Sequence, residues 1–165
     1  MFYFYKQSII PPCPILDDGI EIRETVPSPW VPDMHQMQIG KKKYYYYQLM
    51  TFICRGFKRI FKEYDVVIND RVVSKAVLIS KVPIYKFLPT NGTHICYCET
   101  IPESRGKGYY PLLLSYILND MPGEEFYMIV DENNIPIIKG ILKAGFVKYA
   151  TGVKRKDGTF VLNKN

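Results

Sequence analysis

The chain has no apolar run near the roughly 18 residues that a membrane-spanning helix needs, so no transmembrane segment is expected in its 165 residues. Its start, Met1-Phe-Tyr-Phe-Tyr-Lys6, lacks a basic leader before a long apolar stretch. That argues against a secretory signal and makes a cytoplasmic location the expectation. Imidazole and thiol are scarce: two histidines and four cysteines, Cys13, Cys54, Cys96 and Cys98, with no CxxC pair. No metal site is therefore expected. Cys96 and Cys98 lie two apart in a strand-like run and should share a face as buried thiols. There is also no long block of one charge. The net charge is +6, yet the densest run is only Lys41-Lys-Lys43. Neither a nucleic-acid nor a membrane partner is expected, and the basic balance fits a solvated surface with one anion site. Asn91-Gly-Thr93 matches a glycosylation acceptor, but without a secretion signal it reads as a turn.

What is abundant is apolar and aromatic surface: 47% hydrophobic and 15% aromatic residues, with 14 tyrosines. That suffices for one full core, and with no repeat and no linker the reading is one domain over 1–165. Prolines at 11, 12, 14, 27, 29 and 32 break the first 40 residues into short extended pieces, with strands near 2–6 and 20–24. Trp30 reads as a core anchor in preference to a residue lining a substrate cleft. Tyr46, Leu49, Met50, Ile53 and Phe57 recur at helical spacing, predicting a helix over about 42–55. Tyr64–Ile68 and Val72–Ile79 are β-rich runs joined by an Asn69-Asp-Arg turn, a hairpin. A third run spans about 94–101. A helix follows over 109–119, with Pro111 in its first turn and Leu112, Leu113, Tyr116 and Ile117 on its apolar face. Phe126–Val130 is a continuously apolar strand suited to cover on both faces. Asn134 then opens a helix whose Ile137, Ile138, Ile141 and Leu142 face inward and which Gly145 ends. Strands from 146 and over 159–162 follow, the second after a Lys156-Asp-Gly158 turn. The order ββ(β)αβαββ predicts an α/β sheet of mixed direction.

The chemistry concentrates where the third strand meets the next helix. His94-Ile-Cys-Tyr-Cys-Glu-Thr-Ile101 runs into Pro-Glu-Ser-Arg-Gly-Lys-Gly108. Glycines let a backbone turn its N–H groups onto an anion, and a helix start adds free donors and the positive dipole end. Arg105 and Lys107 contribute formal charge. A P-loop would need Gly at Ile101 and Ser or Thr at Gly108, so that pattern fails. A dinucleotide fingerprint would need Gly at Pro111, in a βαβ setting that a hairpin-built sheet does not offer. The pattern that fits is [Q/R]-x-x-G-x-[G/A], with Arg105 and Gly108 in place and Tyr110 in the last slot. A second run, Asn134-Ile-Pro-Ile-Ile-Lys-Gly-Ile-Leu-Lys-Ala-Gly-Phe146, follows in order and at a matching separation. Together the two resemble the GNAT family, the GCN5-related N-acetyltransferases, over about 94–150.

The resemblance implies a mixed, mostly antiparallel central sheet with a splayed strand pair, flanked by helices, and acetyl-CoA as acyl donor. It implies that pantetheine pairs with exposed backbone from Glu99 to Ile101. The pyrophosphate would lie on the N–H groups of Arg105, Gly106, Lys107, Gly108, Tyr109 and Tyr110, and Asn134 would touch the cofactor arm. Tyr110 departs from the pattern, because a ring stands where a small residue is usual. So does Ile141, which occupies the slot where many members carry a tyrosine acid. Tyr97, Tyr109, Tyr127 or water would then protonate the thiolate, or transfer proceeds without that acid. Glu99 is the favoured base, directly or through a water, and also stands as an ion-paired surface residue. His94 is the second choice and otherwise a strand-edge imidazole. Cys98 is not expected to carry an acyl group.

The implied activity is transfer of an acetyl group directly to a primary amine of a small acceptor. The run Thr100–Leu114 resembles bacterial members associated with surface-polysaccharide biosynthesis, which points to an amino sugar or sugar nucleotide. Two alternatives stay open: a non-catalytic CoA-binding module, and an acetyltransferase acting on a peptide or protein amine. Members of the family often form homodimers. The N-terminal 40 residues are expected to cover the acceptor cleft.

Overall fold

The computed structural model describes residues 1–26, 45, 49, 61–80, 88, 89 and 92–163. Eight strands form one sheet: β1 (Phe2–Gln7), β2 (Ile20–Thr25), β3 (Phe61–Ile68), β4 (Arg71–Ser80), β5 (Gly92–Thr100), β6 (Glu125–Asp131), β7 (Phe146–Lys154) and β8 (Phe160–Leu162). Two helices, α1 (Tyr109–Asp120) and α2 (Ile135–Lys143), follow β5 and β6. The strand order is β2-β3-β4-β5-β6-β1-β7-β8, and every neighbouring pair is antiparallel except β5 and β6. The mixed, mostly antiparallel sheet expected from the sequence is thus present. The expected helix over 42–55 lies outside the described residues except for Tyr45 and Leu49, both helical and exposed. Trp30 also lies outside them.

The first arm, β2 to β5, follows local rules. Asn69 and Asp70 connect β3 to β4 with φ of 49° and 58°. A two-residue connection with both residues left-handed matches the twist of a hairpin, and Asn and Asp tolerate that region. The second arm does not follow chain order. β1 enters between β6 and β7, pairing Phe2 with Asp131 on one side and with Gly152 on the other. Of the forty N-terminal residues expected over an acceptor cleft, the first strand is therefore a central member of the sheet and Ile20–Thr25 an edge strand. Residues 27–40 lie outside the described residues.

One sheet face is covered by α1 and α2 through Tyr64, Val66, Ala76, Leu78, Ile95, Phe126, Met128 and Phe146. The buried stripe of α1 is Tyr110, Leu113, Leu114, Ile117 and Leu118; Leu112 and Tyr116 are only partly buried. On α2, Ile141 is fully buried, but Leu142 is 51% exposed. A nine-residue helix can turn only one stripe to the sheet; Ile137, Ile138 and Ile141 take it, as expected, with Ala144 just past the helix end. The hydroxyl of Tyr64 lies 2.6 Å from Asp120 Oδ2 and 3.2 Å from Glu24 Oε2, tying the last residue of α1 to the first arm.

Candidate active site

The two arms meet along three residue pairs. β5 and β6 run parallel only from Gly92 to His94, opposite Glu125 to Tyr127. Past that point β5 stays with β4 as far as Thr100, while β6 stays with β1 as far as Asp131. From Ile95 onward, the β6-facing edge of β5 has no ladder partner among the described strands. Free N–H and C=O groups along an open edge are what an extended amide-bearing chain can pair with.

A β-bulge re-aims the side chains of this edge. Val77 opposes Cys96 and Lys75 opposes Glu99, so Tyr97 and Cys98 together oppose Ala76. Tyr97 takes φ of 50°, a left-handed conformation uncommon for a residue with a side chain. Regular alternation would have set Cys96 and Cys98 on one face, as the sequence led us to expect. The inserted residue instead turns Cys98 toward the helices, where it packs on the core cluster with Ile95, and Cys96, adjacent to Ile95, points the other way. Glu99 falls with Lys75 on the face opposite Cys98, and the two form an ion pair at 3.8 Å.

Beyond Thr100 the chain makes a 3₁₀ turn over Pro102–Ser104 and then the glycine loop. Gly106 and Gly108 adopt φ of 77° and 86°, and a Cβ at either would meet no atom within 4 Å. Both therefore present bare backbone to open space. Among the described residues, the N–H groups of Gly106, Lys107, Gly108, Tyr109 and Tyr110 have no protein acceptor, whereas that of Arg105 donates to Pro102 O. Arg105 Nε donates to the Thr100 carbonyl at 3.1 Å, which fixes its guanidinium beside the loop. A cleft of about 740 Å³ runs from this loop along Cys98–Thr100, with Asn134, Lys139, Gly140 and Lys143 of the α2 segment on its far wall. A second cavity of about 540 Å³ fills the gap between the parted strands, from His94–Cys98 to Met128–Asp131 and out to Lys154 and Phe160. Cys98, Tyr110, Asn134 and Ile137 line both.

The sequence-derived candidates divide accordingly. Glu99, Arg105, Gly106, Gly108, Tyr109, Tyr110 and Asn134 line the cleft, and His94 and Tyr97 line the gap between the strands. Lys107 is exposed beside the loop. The N–H of Ile101 donates to Val73 O and so is not open to a ligand. The Asn134 side chain accepts the Ile137 N–H at 3.5 Å, a long helix cap. His94 is buried, and burial pushes its imidazole down to about 3, so it stays neutral at physiological pH. Tyr127 donates to Glu125 at 2.8 Å, and its phenol is raised by burial and by that carboxylate. Ile141 is sealed in the core and cannot reach either cavity's chemistry.

Three features were not found from the sequence. Gly140 is one: a Cβ there would sit 2.5 Å and 2.7 Å from Cδ1 and Cε1 of Tyr110. The glycine is what makes room for the ring that stands in place of a small residue. Lys139 and Lys143 are the others; their spacing of four on a helix that opens at Asn134 was a readable signal. Together these residues form a glycine cradle, an open strand edge and a cationic far wall, a set that fits a phosphorylated ligand with an amide-bearing arm.

No protein-family model and no curated protein matches the sequence. Solved structures do. An acetyltransferase of the GNAT family from Colwellia psychrerythraea superposes with a TM-score of 0.57 at 11% identity, covering 89% of this chain and 52% of that one. A tandem GNAT protein from the clavulanic acid biosynthesis pathway gives 0.59 at 14% identity, with 90% and 50% covered. A functionally unknown conserved protein from Staphylococcus epidermidis gives 0.51 at 12%, with 90% and 59% covered. The chain spans roughly half the length of these structures. At such identities the likeness concerns the path of the backbone, and the fold of this chain is that of the GNAT acetyltransferases.

Proposed function

We propose that this chain is an acyltransferase that uses acetyl-CoA as donor and a primary amine of a small molecule as acceptor. The observation that carries the reading is the parting of β5 from β6, with the open edge of β5 leading onto the glycine loop. Bound there, acetyl-CoA would supply an activated acyl group as a thioester. The N–H groups of Gly106 to Tyr110 would hold its pyrophosphate, the edge of β5 its amide-bearing arm, and Lys139 and Lys143 further phosphate charge. Past the bulge at Tyr97, backbone N–H groups on the open edge of β5 would face a carbonyl oxygen as it gains charge. Glu99, on the sheet face away from α1 and α2, takes the amine proton directly or through water. His94 is a weaker base because burial holds it so low.

The acceptor would enter through the cavity between the strands, whose mouth carries Lys154, Phe2 and Phe160. A cation beside aromatic faces suits an amino sugar or its phosphorylated or nucleotide-linked form, the class we favour. A second reading, a CoA-binding module without catalysis, draws on buried Ile141. Calorimetric titration with acetyl-CoA, comparing the native chain with Gly108→Glu, tests the site. Micromolar binding lost in the variant supports it, and no binding to the native chain removes it. Thiol release with a panel of amines then separates enzyme from module: inertness toward every amine despite tight binding favours the module.

A further inference from the structure

We propose that Lys75 is a positioning residue for acyl transfer: it holds the Glu99 carboxylate and denies it an ion pair with the ammonium form of the acceptor, so that the neutral amine is delivered. The inference rests on the acyltransferase reading above, with Glu99 as base. It starts from a row of charge in the first arm. Arg23 of β2 lies directly opposite Asp65 of β3, Asp65 opposite Lys75 of β4, and Lys75 opposite Glu99 of β5. Directly opposed residues on neighbouring strands share a face and stand within contact range. Four strands thus carry one row of alternating sign, from β2 to the open edge of β5.

The bulge is what brings Glu99 into the row. Val77 opposes Cys96, so unbroken pairing would set Cys98 opposite Lys75; the extra residue puts a carboxylate there instead of a thiol. Two consecutive residues of β4 then grip Glu99. The buried Ser74 hydroxyl donates to the Glu99 carbonyl at 3.2 Å and lies 2.9 Å from the Thr100 hydroxyl. Lys75 Nζ lies 3.8 Å from Glu99 Oε2. The row dries out away from the site: the Glu99 side chain is 34% exposed, that of Lys75 12%, and Asp65 3%. A lysine confined between carboxylates on both sides has little freedom to swing elsewhere. Glu21, 3.6 Å from Arg23, and buried Glu63 flank the far end of the row.

The chemistry follows from charge. Attack needs an amine whose electron pair is free. A carboxylate alone at the reaction end would bind the acceptor best as its ammonium ion, a tight but unreactive complex. Beside Lys75 the carboxylate belongs to a pair with no net charge, and an approaching ammonium meets repulsion as well as attraction. Binding of that ground state is weakened, while the reacting amine loses nothing. As the C–N bond forms, the nitrogen gives its proton to Glu99. The C–S bond breaks with its electron pair on sulfur. Glu99 passes the proton to water on its exposed side, and the thiolate takes a proton from water.

The test follows thiol release from acetyl-CoA with glucosamine, glucosamine 6-phosphate and ethanolamine in the native chain, Lys75→Met and Lys75→Arg. With the fastest of these amines, Lys75→Met should lose roughly 10-fold in kcat, and its KM for the amine should fall several-fold instead of rising. Lys75→Arg keeps the cation and should recover most of both. A second readout needs no turnover. Titrated into the CoA-saturated chain, the same amine should bind Lys75→Met about 3- to 10-fold more tightly than the native chain, with affinity for CoA unchanged. Methionine fills the space of the lysine stem, so the thermal midpoint should move little; Lys75→Gln is a second uncharged variant and should behave alike. Unchanged kcat in the uncharged variants, or a fall in kcat without tighter amine binding, would overturn the role of Lys75 and leave the acyltransferase reading intact. Failure of the native chain to bind CoA, or to release thiol with any of the three amines, would overturn both.

Discussion

The two arms of the sheet are held together in different ways. In β2 to β5 each strand pairs with its neighbour in sequence, β3 with β4 across the two-residue turn Asn69-Asp70, β4 with β5 across residues 81–91 and β2 with β3 across residues 26–60. In the β6-β1-β7-β8 arm a central strand is the N-terminal segment Phe2–Gln7, paired with residues from 121 positions away (Lys6 with Tyr127) to 150 (Phe2 with Gly152). The arms join through three residue pairs and the helices laid across them. The candidate site lies where that joint ends. A closed seam would leave no edge for a ligand to pair with, and a missing seam would leave no fixed gap. The short parallel pairing provides both the anchor and the opening.

The largest expected effect breaks the second arm. Removing residues 1–7 deletes β1 and leaves facing edges of β6 and β7 unpaired. The loss should exceed the 5–15 kcal/mol that stabilises a typical domain, so urea or thermal unfolding should show no cooperative transition. A truncated chain that still unfolds cooperatively would mean the first arm and helices suffice. A truncation intended only to uncover an acceptor cleft would therefore have to spare this strand.

Next is acid sensitivity at the seam. Folding lowers the His94 imidazole from 6.5 to about 3, so between those values the unfolded chain binds a proton that the folded chain does not. Stability should be full above pH 6.5 and fall by about 1.4 kcal/mol per pH unit toward pH 3. Replacing His94 with Gln should remove that part of the slope in denaturant titrations from pH 7 to 4. An unchanged slope would assign the acid sensitivity to other groups.

Gly140→Ala probes the joint from the helix side. The added Cβ overlaps the Tyr110 ring, and overpacking of this kind costs about 1–3 kcal/mol. Tyr110→Ala in the same chain should cancel much of that cost, giving a coupling of at least about 0.5 kcal/mol in a double-mutant cycle. Strictly additive losses would mean the ring and the glycine are independent. The smallest effect is at the loop. Gly106→Ala meets no neighbouring atom but strains a φ of 77°, costing about 1 kcal/mol. Unfolding should shift slightly, while affinity for acetyl-CoA falls because the backbone is displaced.

The first arm was readable because its signals are local. The Asn69-Asp70 turn, the alternation around it and the glycine loop each specify structure within a few residues. The place of β1 was not readable, since nothing in Phe2-Tyr-Phe-Tyr names β6 and β7 as its partners. The orientation of Cys96 and Cys98 failed for a related reason: a bulge at Tyr97 leaves no mark in a run of apolar residues, yet it inverts every side chain after it. Leu142 was misplaced because a run of apolar residues on α2 does not say which stripe the sheet will take.

By itself the sequence determined the loop and helix starts that can hold an anion, because glycine torsions, capping and helix period act over short range. The tertiary structure alone decided that β5 and β6 part after His94, that β1 completes the second arm, and that Gly140 admits the ring of Tyr110. Each of these depends on groups distant along the chain coming within ångströms of one another, and short-range rules carry no information about that distance.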